Sequence, residues 1–168
     1  MKTIRESVFE TNSSSTHSVC IRGKDKKIDL KDFYHELRSY IRGDNYLHVS
    51  FGEFGWGPDY YSAPINKLSY VLTMIAELNN LSGWYTNFTD DYLRGEMEKI
   101  AEFQEVDNFI KNICNCAGIY IDSFSGYIDH QSYEDYSTLK DFFDDYGTTL
   151  EEFIFNPNVE LIIDNDNH

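Results

Sequence analysis

The chain has 168 residues, 41% of them hydrophobic, with 13 tyrosines, 12 phenylalanines and 2 tryptophans; that is one domain's length and enough apolar mass for a core, which excludes a disordered chain. Its 29 Asp and Glu against 14 Lys and Arg give a net charge of −15, the wrong sign for releasing counterions from phosphates, so no direct binding to DNA or RNA is expected. No stretch approaches the roughly 20 apolar residues of a membrane span, and Met1-Lys-Thr-Ile-Arg5 carries no apolar leader, so the protein is expected to stay in the cytoplasm where it is made.

Residues 3–10 read as a strand, Thr11 to Thr16 as a turn of small polar residues, and residues 17–22 as a second strand, which predicts an N-terminal hairpin over 3–22. Leu30, Phe33, Tyr34, Leu37, Tyr40 and Ile41 form a helical stripe that predicts a helix from Asp29 or Leu30 to Ile41, stopped at Gly43. Tyr46 to Phe51 alternates like a strand. Residues 52–63 hold Gly52, Gly55, Gly57 and Pro58 and are expected to be irregular. Pro64 suits the first turn of a helix reaching about Asn79, and helical patterns over 90–103 and 105–116 complete a helical middle spanning 64–116. Gly118 to Ser123 and Gly126 to His130 predict a second hairpin over 118–130, turning at Phe124-Ser125. Ser137 is expected to cap a helix to about Tyr146, Thr149-Leu-Glu-Glu152 is a capping-box pattern for another, and residues 159–164 read as a last strand, so helices and a strand fill 137–164. Without repeats or linkers, the fold expected is α+β: a single domain over 1–168 in which a small, mostly antiparallel sheet packs against several helices.

Charge is spread unevenly. Residues 1–43 sum to +3, residues 44–128 to −8 and residues 129–168 to −10. Cys20, Cys114 and Cys116 are too few, and odd in number, for a disulfide framework, which points to a reducing compartment. The Cys114-Asn-Cys116 spacing is too tight for a common zinc knuckle, and packing on a helix is its expected role.

The serine-rich turn carries the first candidate site. With the turn centred between Ser13 and Ser14, Val8 faces Val19, Glu10 faces His17 and Arg5 faces Arg22. Two adjacent guanidinium groups are unfavourable unless an anion or carboxylate lies between them. Arg5, Asn12, Ser13, Ser14, Ser15, Thr16 and Arg22 are therefore candidate ligands for an anion such as phosphate. The alternative is a polar surface turn with two solvated arginines, or with arginines paired with the chain's own carboxylates. His17 beside Ser15 and Ser18, with Glu10 to orient it, has the elements of a nucleophile and base, but the strained Gly-x-Ser-x-Gly elbow is missing. Glu53 in the glycine-rich segment and Asp129-His130 join His17 as acid, base or metal candidates; Phe54 and Trp56 are expected to pack or anchor the loop. No metal and no cofactor is expected, although Asp164, Asp166 and His168 share one face of an extended tail and are the weakest candidates for a divalent ion. The acid pairs Asp90-Asp91, Glu134-Asp135, Asp144-Asp145 and Glu151-Glu152 either decorate solvated helix caps and faces, several at predicted helix starts, where negative charge is favoured, or imitate a nucleic-acid backbone and fill a partner's basic groove.

The run from Val8 to Ser18, Val-Phe-Glu-Thr-Asn-Ser-Ser-Ser-Thr-His-Ser, resembles the opening of a group of small proteins encoded by phages and prophages of Gram-positive bacteria. Phe51-Gly-Glu-Phe-Gly-Trp56, Gly126-Tyr-Ile-Asp-His-Gln-Ser132 and Asp164-Asn-Asp-Asn167 are similar to other segments of that group. No catalytic residue is carried over. The resemblance implies a viral accessory protein in a bacterial host cytoplasm. Two functions remain open: a non-enzymatic counter-defence inhibitor of the anti-CRISPR kind, whose acidic surface engages a basic host nuclease, or a small enzyme or binder of a phosphorylated or nucleotide ligand at the serine-rich hairpin and an Asp/His site. A homodimer is left open as well.

Overall fold

A computed structural model describes residues 15–22, 27–55, 59–81, 88–129 and 136–165. The elements in chain order are β1 (Ser15–Ile21), a 3-10 turn (Leu30–Phe33), α1 (His35–Arg38), β2 (Tyr46–Ser50), β3 (Glu53–Phe54), β4 (Asp59–Tyr61), α2 (Pro64–Leu78), α3 (Asp90–Met97), α4 (Ala101–Cys114), β5 (Gly118–Ser123), β6 (Tyr127–Ile128), α5 (Leu139–Tyr146), α6 (Leu150–Phe155) and β7 (Val159–Asn165). The fold is α+β: a small antiparallel sheet of order β1-β7-β4, two parallel strand pairs, and helices gathered on one continuous core.

At the centre lies α2. Pro64 lacks an N–H that the first turn would leave unpaired, so it starts the helix without loss. Apolar residues then recur on every side, and residues from Lys67 to Ala76 are all buried, the pattern of a helix enclosed by its neighbours. Lys67, Ser69 and Thr73 bond to backbone carbonyls of the same chain. Thr73 Oγ1 donates to Ser69 O at 2.8 Å, and Lys67 Nζ donates to Asn156 O at 3.0 Å and Val159 O at 3.1 Å. Burial pulls the Lys67 ammonium down to about 8, against weaker upward pulls from Glu36 and Glu160.

Several expected elements change under tertiary packing. The predicted helix to Ile41 is instead a 3-10 turn and a single α-turn; His35 Nδ1 sits 2.7 Å from Asp32 O, an acceptor that a continuous helix would use. The helices expected over 90–103 and 105–116 are 90–97 and 101–114. Lys99 N and Ile100 N tighten into i→i−3 bonds to Glu96 O and Met97 O, Ile100 turns extended, and Gln104 Nε2 donates back to Glu98 O. Asn115, at φ 56°, ends α4. Thr138, not Ser137, caps α5, and with Asp141 completes a capping box. Thr149 caps α6 through Glu152 N. The segment 52–63, expected to be irregular, contributes the short strands β3 and β4.

Among the described residues the predicted hairpin over 118–130 does not form. β5 pairs in parallel with β2 (Leu47 opposite Ile119, Val49 opposite Ile121), and β6 pairs in parallel with β3. Phe51 N donates to Ser123 O, Tyr127 N to Gly52 O and Asp129 N to Phe54 O, so two kinked segments run side by side through the bend. The residues assigned to a turn do other work. Phe124 is buried against Phe51 with ring centroids 4.8 Å apart, and a Cβ on Gly126 would stand 2.5 Å from the Phe51 carbonyl carbon. Parallel strands need a long crossover, which α2, α3 and α4 supply.

Strand β1 is the second half of the predicted N-terminal hairpin. Residues 3–14, and with them the pairings Val8–Val19, Glu10–His17 and Arg5–Arg22, lie outside the described residues. The described neighbour of β1 is β7, with Val19 opposite Leu161.

Candidate functional site

The parallel pair β2–β5 has two unlike faces. Leu47, Val49, Ile119 and Ile121 point into the core. The alternate residues Tyr46, His48 and Ser50 on β2, with Tyr120 and Asp122 on β5, share the other face because side chains alternate along a strand. A tight turn leads into this face: Asn45 adopts φ 65°, Arg42 N donates to Tyr46 O at 3.1 Å, and Asp44 Oδ1 accepts from Tyr46 N at 3.1 Å.

These constraints gather four ionisable side chains. His48, its side chain 8% exposed, places Nδ1 2.8 Å from Asp122 Oδ1 and Nε2 3.0 Å from Asp44 Oδ2. Arg42 reaches both oxygens of Asp122, at 2.7 and 3.3 Å. The Asp44 carboxyl is held below the usual carboxylate range, first by the Tyr46 N–H and then by His48. Both ring nitrogens donate at once only in the imidazolium. The Tyr120 ring lies 5.0 Å from the imidazole. His48 is thus oriented between carboxylates, and none of its hydrogen bonds goes to a hydroxyl or thiol that it would activate. A hollow of about 350 Å³ beside it is lined by Tyr40, Arg42, Ser50, Asn66 and Asp122 among others.

The outer edge of β5 is closed by side chains. Asp107 Oδ1 accepts from Ile119 N at 2.7 Å, and Arg94 donates to Ile121 O at 2.7 and 3.2 Å. Strand edges left open invite pairing with another chain, and these two residues block that here. Arg94 also lies 4.1 Å above the Tyr120 ring and pairs with Asp91 at 2.7 Å.

The residues singled out in the sequence fall in several places. Glu53 and Asp129 come together on the β3–β6 pair, where burial first, and then both carboxylates, raise the Tyr127 phenol. Ser15, Thr16 and His17 lie on β1 opposite Asn165, Asp164 and Ile163, so the serine-rich segment and the acidic C-terminal segment are neighbours in the sheet. Arg22 pairs with Glu160 at 2.9 Å, the carboxylate alternative for that guanidinium. Arg5, Asn12, Ser13, Ser14, His130, Glu134, Asp135, Asp166 and His168 lie outside the described residues, as does Trp56; Phe54 is core. Among the described residues no group of three or more His, Cys, Asp or Glu side chains is placed to hold a metal. Cys114 is buried and its thiol is pushed up to about 11 by that burial; the Cys116 thiol meets Gly118 O at 3.7 Å.

The three acid pairs among the described residues sit at helix ends. Asp90 and Asp91 open α3 and are exposed. Asp144 pairs with Lys140, and Asp145 accepts from the Tyr136 hydroxyl. Glu151 accepts from Tyr34, whose hydroxyl is raised to about 12 by burial and then by Glu151, and Glu152 is exposed in the first turn of α6.

Sequence reasoning missed Arg42, Asp44, His48 and Asp122. The alternation Tyr46-x-His48-x-Ser50 and Tyr120-x-Asp122 was a signal for each face, but His48 and Asp122 are 74 positions apart and only the parallel pairing joins them. Compared with protein-family models, curated proteins and solved structures, the chain matches none.

Proposed function

We propose that this chain is an accessory protein that acts by binding another protein, its acidic surface engaging a basic groove. The observation that carries the reading is how the cations are used. Arg38, Lys67 and Arg94 donate to backbone carbonyls of the same chain. Arg22, Arg42, Lys99, Lys111 and Lys140 face carboxylates of the same chain, as Arg94 also does. The chain carries 29 acidic against 14 basic residues, and among the described residues Asp90, Asp91, Asp144 and Glu152 present carboxylates on the exposed surface. Such a surface speeds association with a basic partner and loses hold as salt rises. The sequence resemblance would make the partner a nuclease in a bacterial host cytoplasm and the outcome its inhibition. Among the described residues no helix is long and apolar enough to cross a membrane, which agrees with this setting without fixing it.

Native mass spectrometry of the protein alone, and after capture from a bacterial lysate at low and high salt, tests the reading. A basic protein held at low salt, shed at high salt, and held less by an Asp144→Asn/Asp145→Asn/Glu151→Gln/Glu152→Gln variant is expected. Retention indifferent to salt overturns it. The same spectra test a second reading, a small enzyme or binder of a phosphorylated or nucleotide ligand. Its support is the convergence of Glu53 and Asp129 around Tyr127, and it requires a nucleotide-sized mass on the protein alone.

A further inference from the structure

Helix α3 turns Leu93 and Met97 into the core. Phe88, just before the helix, and Tyr92 lie outside that face, with their rings stacked at a centroid distance of 4.4 Å. Phe88 is 54% and Tyr92 47% exposed, and neither belongs to the core or to the half-buried shell packed on it. Aromatic rings held together in water, at no benefit to the core, mark an interaction surface more than a folding element.

The surroundings select the occupant. Asp90 and Asp91 flank the rings and both are exposed; Asp91 is 92% exposed. Ring faces carry negative potential and carboxylates carry charge, so the patch attracts cations twice over. The fold holds an internal example next door: the Arg94 guanidinium lies over Tyr120 and pairs with Asp91 through one nitrogen. An arginine side chain from outside would meet the same combination at Phe88, Tyr92 and Asp90. A purely apolar partner would leave the carboxylates unused, and a nucleic acid would be repelled.

We propose that Phe88 and Tyr92, with Asp90 and Asp91, form the docking centre for arginine or lysine side chains of a basic protein partner. The inference rests on the interaction reading above and locates its anchor. Arginine carries the larger share, because its planar guanidinium stacks on rings and forks to carboxylates, whereas lysine is a point charge.

The test uses the full chain, isotope-labelled, titrated with an octa-arginine peptide and followed by amide chemical shifts, with octa-lysine as comparison. The expected result is that shifts centre on residues 88–94, that octa-arginine binds more tightly than octa-lysine, and that Phe88→Ala/Tyr92→Ala weakens octa-arginine about tenfold while the unperturbed spectrum stays folded. Because both rings lie off the core, loss of folding is not expected; Tyr92→Phe, which keeps the ring, should retain most of the affinity. Shifts centred on α5 and α6 would overturn this site and leave the interaction reading standing. No binding of either peptide would overturn both. Concentration-dependent self-association that the double variant abolishes would assign the rings to a second copy of the chain and overturn the proposal.

Discussion

Helices α2 and α3 solve opposite problems. α2 hides its polar groups: Lys67, Ser69 and Thr73 are buried among apolar side chains and bonded to carbonyls. At the start of α3 the apolar groups are shown, with Phe88 and Tyr92 stacked in water beside carboxylates. A buried polar group must be satisfied or it costs stability, so α2 is fixed by its neighbours on all sides. An exposed ring carries no such requirement, so its place on α3 is free to serve recognition. On the proposal above, recognition rests on the exposed rings at the start of α3, which can be altered without touching the core that α2 and the Leu93–Met97 face of α3 build.

The largest test of that separation is Tyr70→Ala. Tyr70 is fully buried, with its ring 5.1 Å from Phe54, 5.8 Å from Phe142 and 6.1 Å from Phe153. Truncation should cost about 4 kcal/mol, read as a lower urea midpoint at unchanged slope. A loss below about 1 kcal/mol would mean that α2 is not the centre of the core.

Lys67 gives a sharper signature because its contribution depends on pH. Its folded-state value near 8 lies below the ordinary 10.5. Between these values the unfolded chain binds more protons, so stability rises with pH across this window, by up to about 3 kcal/mol for the full shift. Tyr34 and Tyr61, both raised to about 12, act in the opposite sense above pH 10. Urea unfolding between pH 8 and 10 should therefore show a rising contribution in the wild type that Lys67→Met lacks. Equal slopes for the two proteins would refute the assignment.

Gly126→Ala probes the paired kinked strands. The added methyl would press on the Phe51 and Gly52 backbone, which cannot yield as a side-chain tip can. A loss of about 2 kcal/mol is expected, with amide-exchange protection falling first in residues 50–54 and 123–129.

How much of this was legible follows from how local each cause is. The start of α2 was readable because Pro64 and the dense apolar run act within a few residues. The Thr149 cap was readable for the same reason. The parallel pairs were not, because a strand segment does not name its partner; Gly118 to Ser123 suits a hairpin as well as it suits β2. The His48 cluster inherits that blindness, since Asp44 is four residues from His48 but Asp122 arrives only through the pairing. Phe124-Ser125, assigned to a turn, misled for a specific reason: the chain does not reverse there, and the following Gly126 makes a close crossing of backbones that Phe51 and Gly52, far away in sequence, require.

The smallest expected effect carries the most weight for function. Phe88→Ala/Tyr92→Ala removes two large rings from one patch, and the same change on α2 would unfold the protein. Here neither ring packs on the core, so the urea midpoint should move by no more than about 0.5 kcal/mol in equivalent stability. A larger loss would make the ring pair part of the fold and dissolve the division between the two helices. With stability preserved, any loss of binding in the double variant reports on recognition alone. Asp90→Asn/Asp91→Asn then divides that loss: a fall confined to low salt assigns the carboxylates to steering, and a fall that persists at high salt assigns them to direct contact with the bound cation.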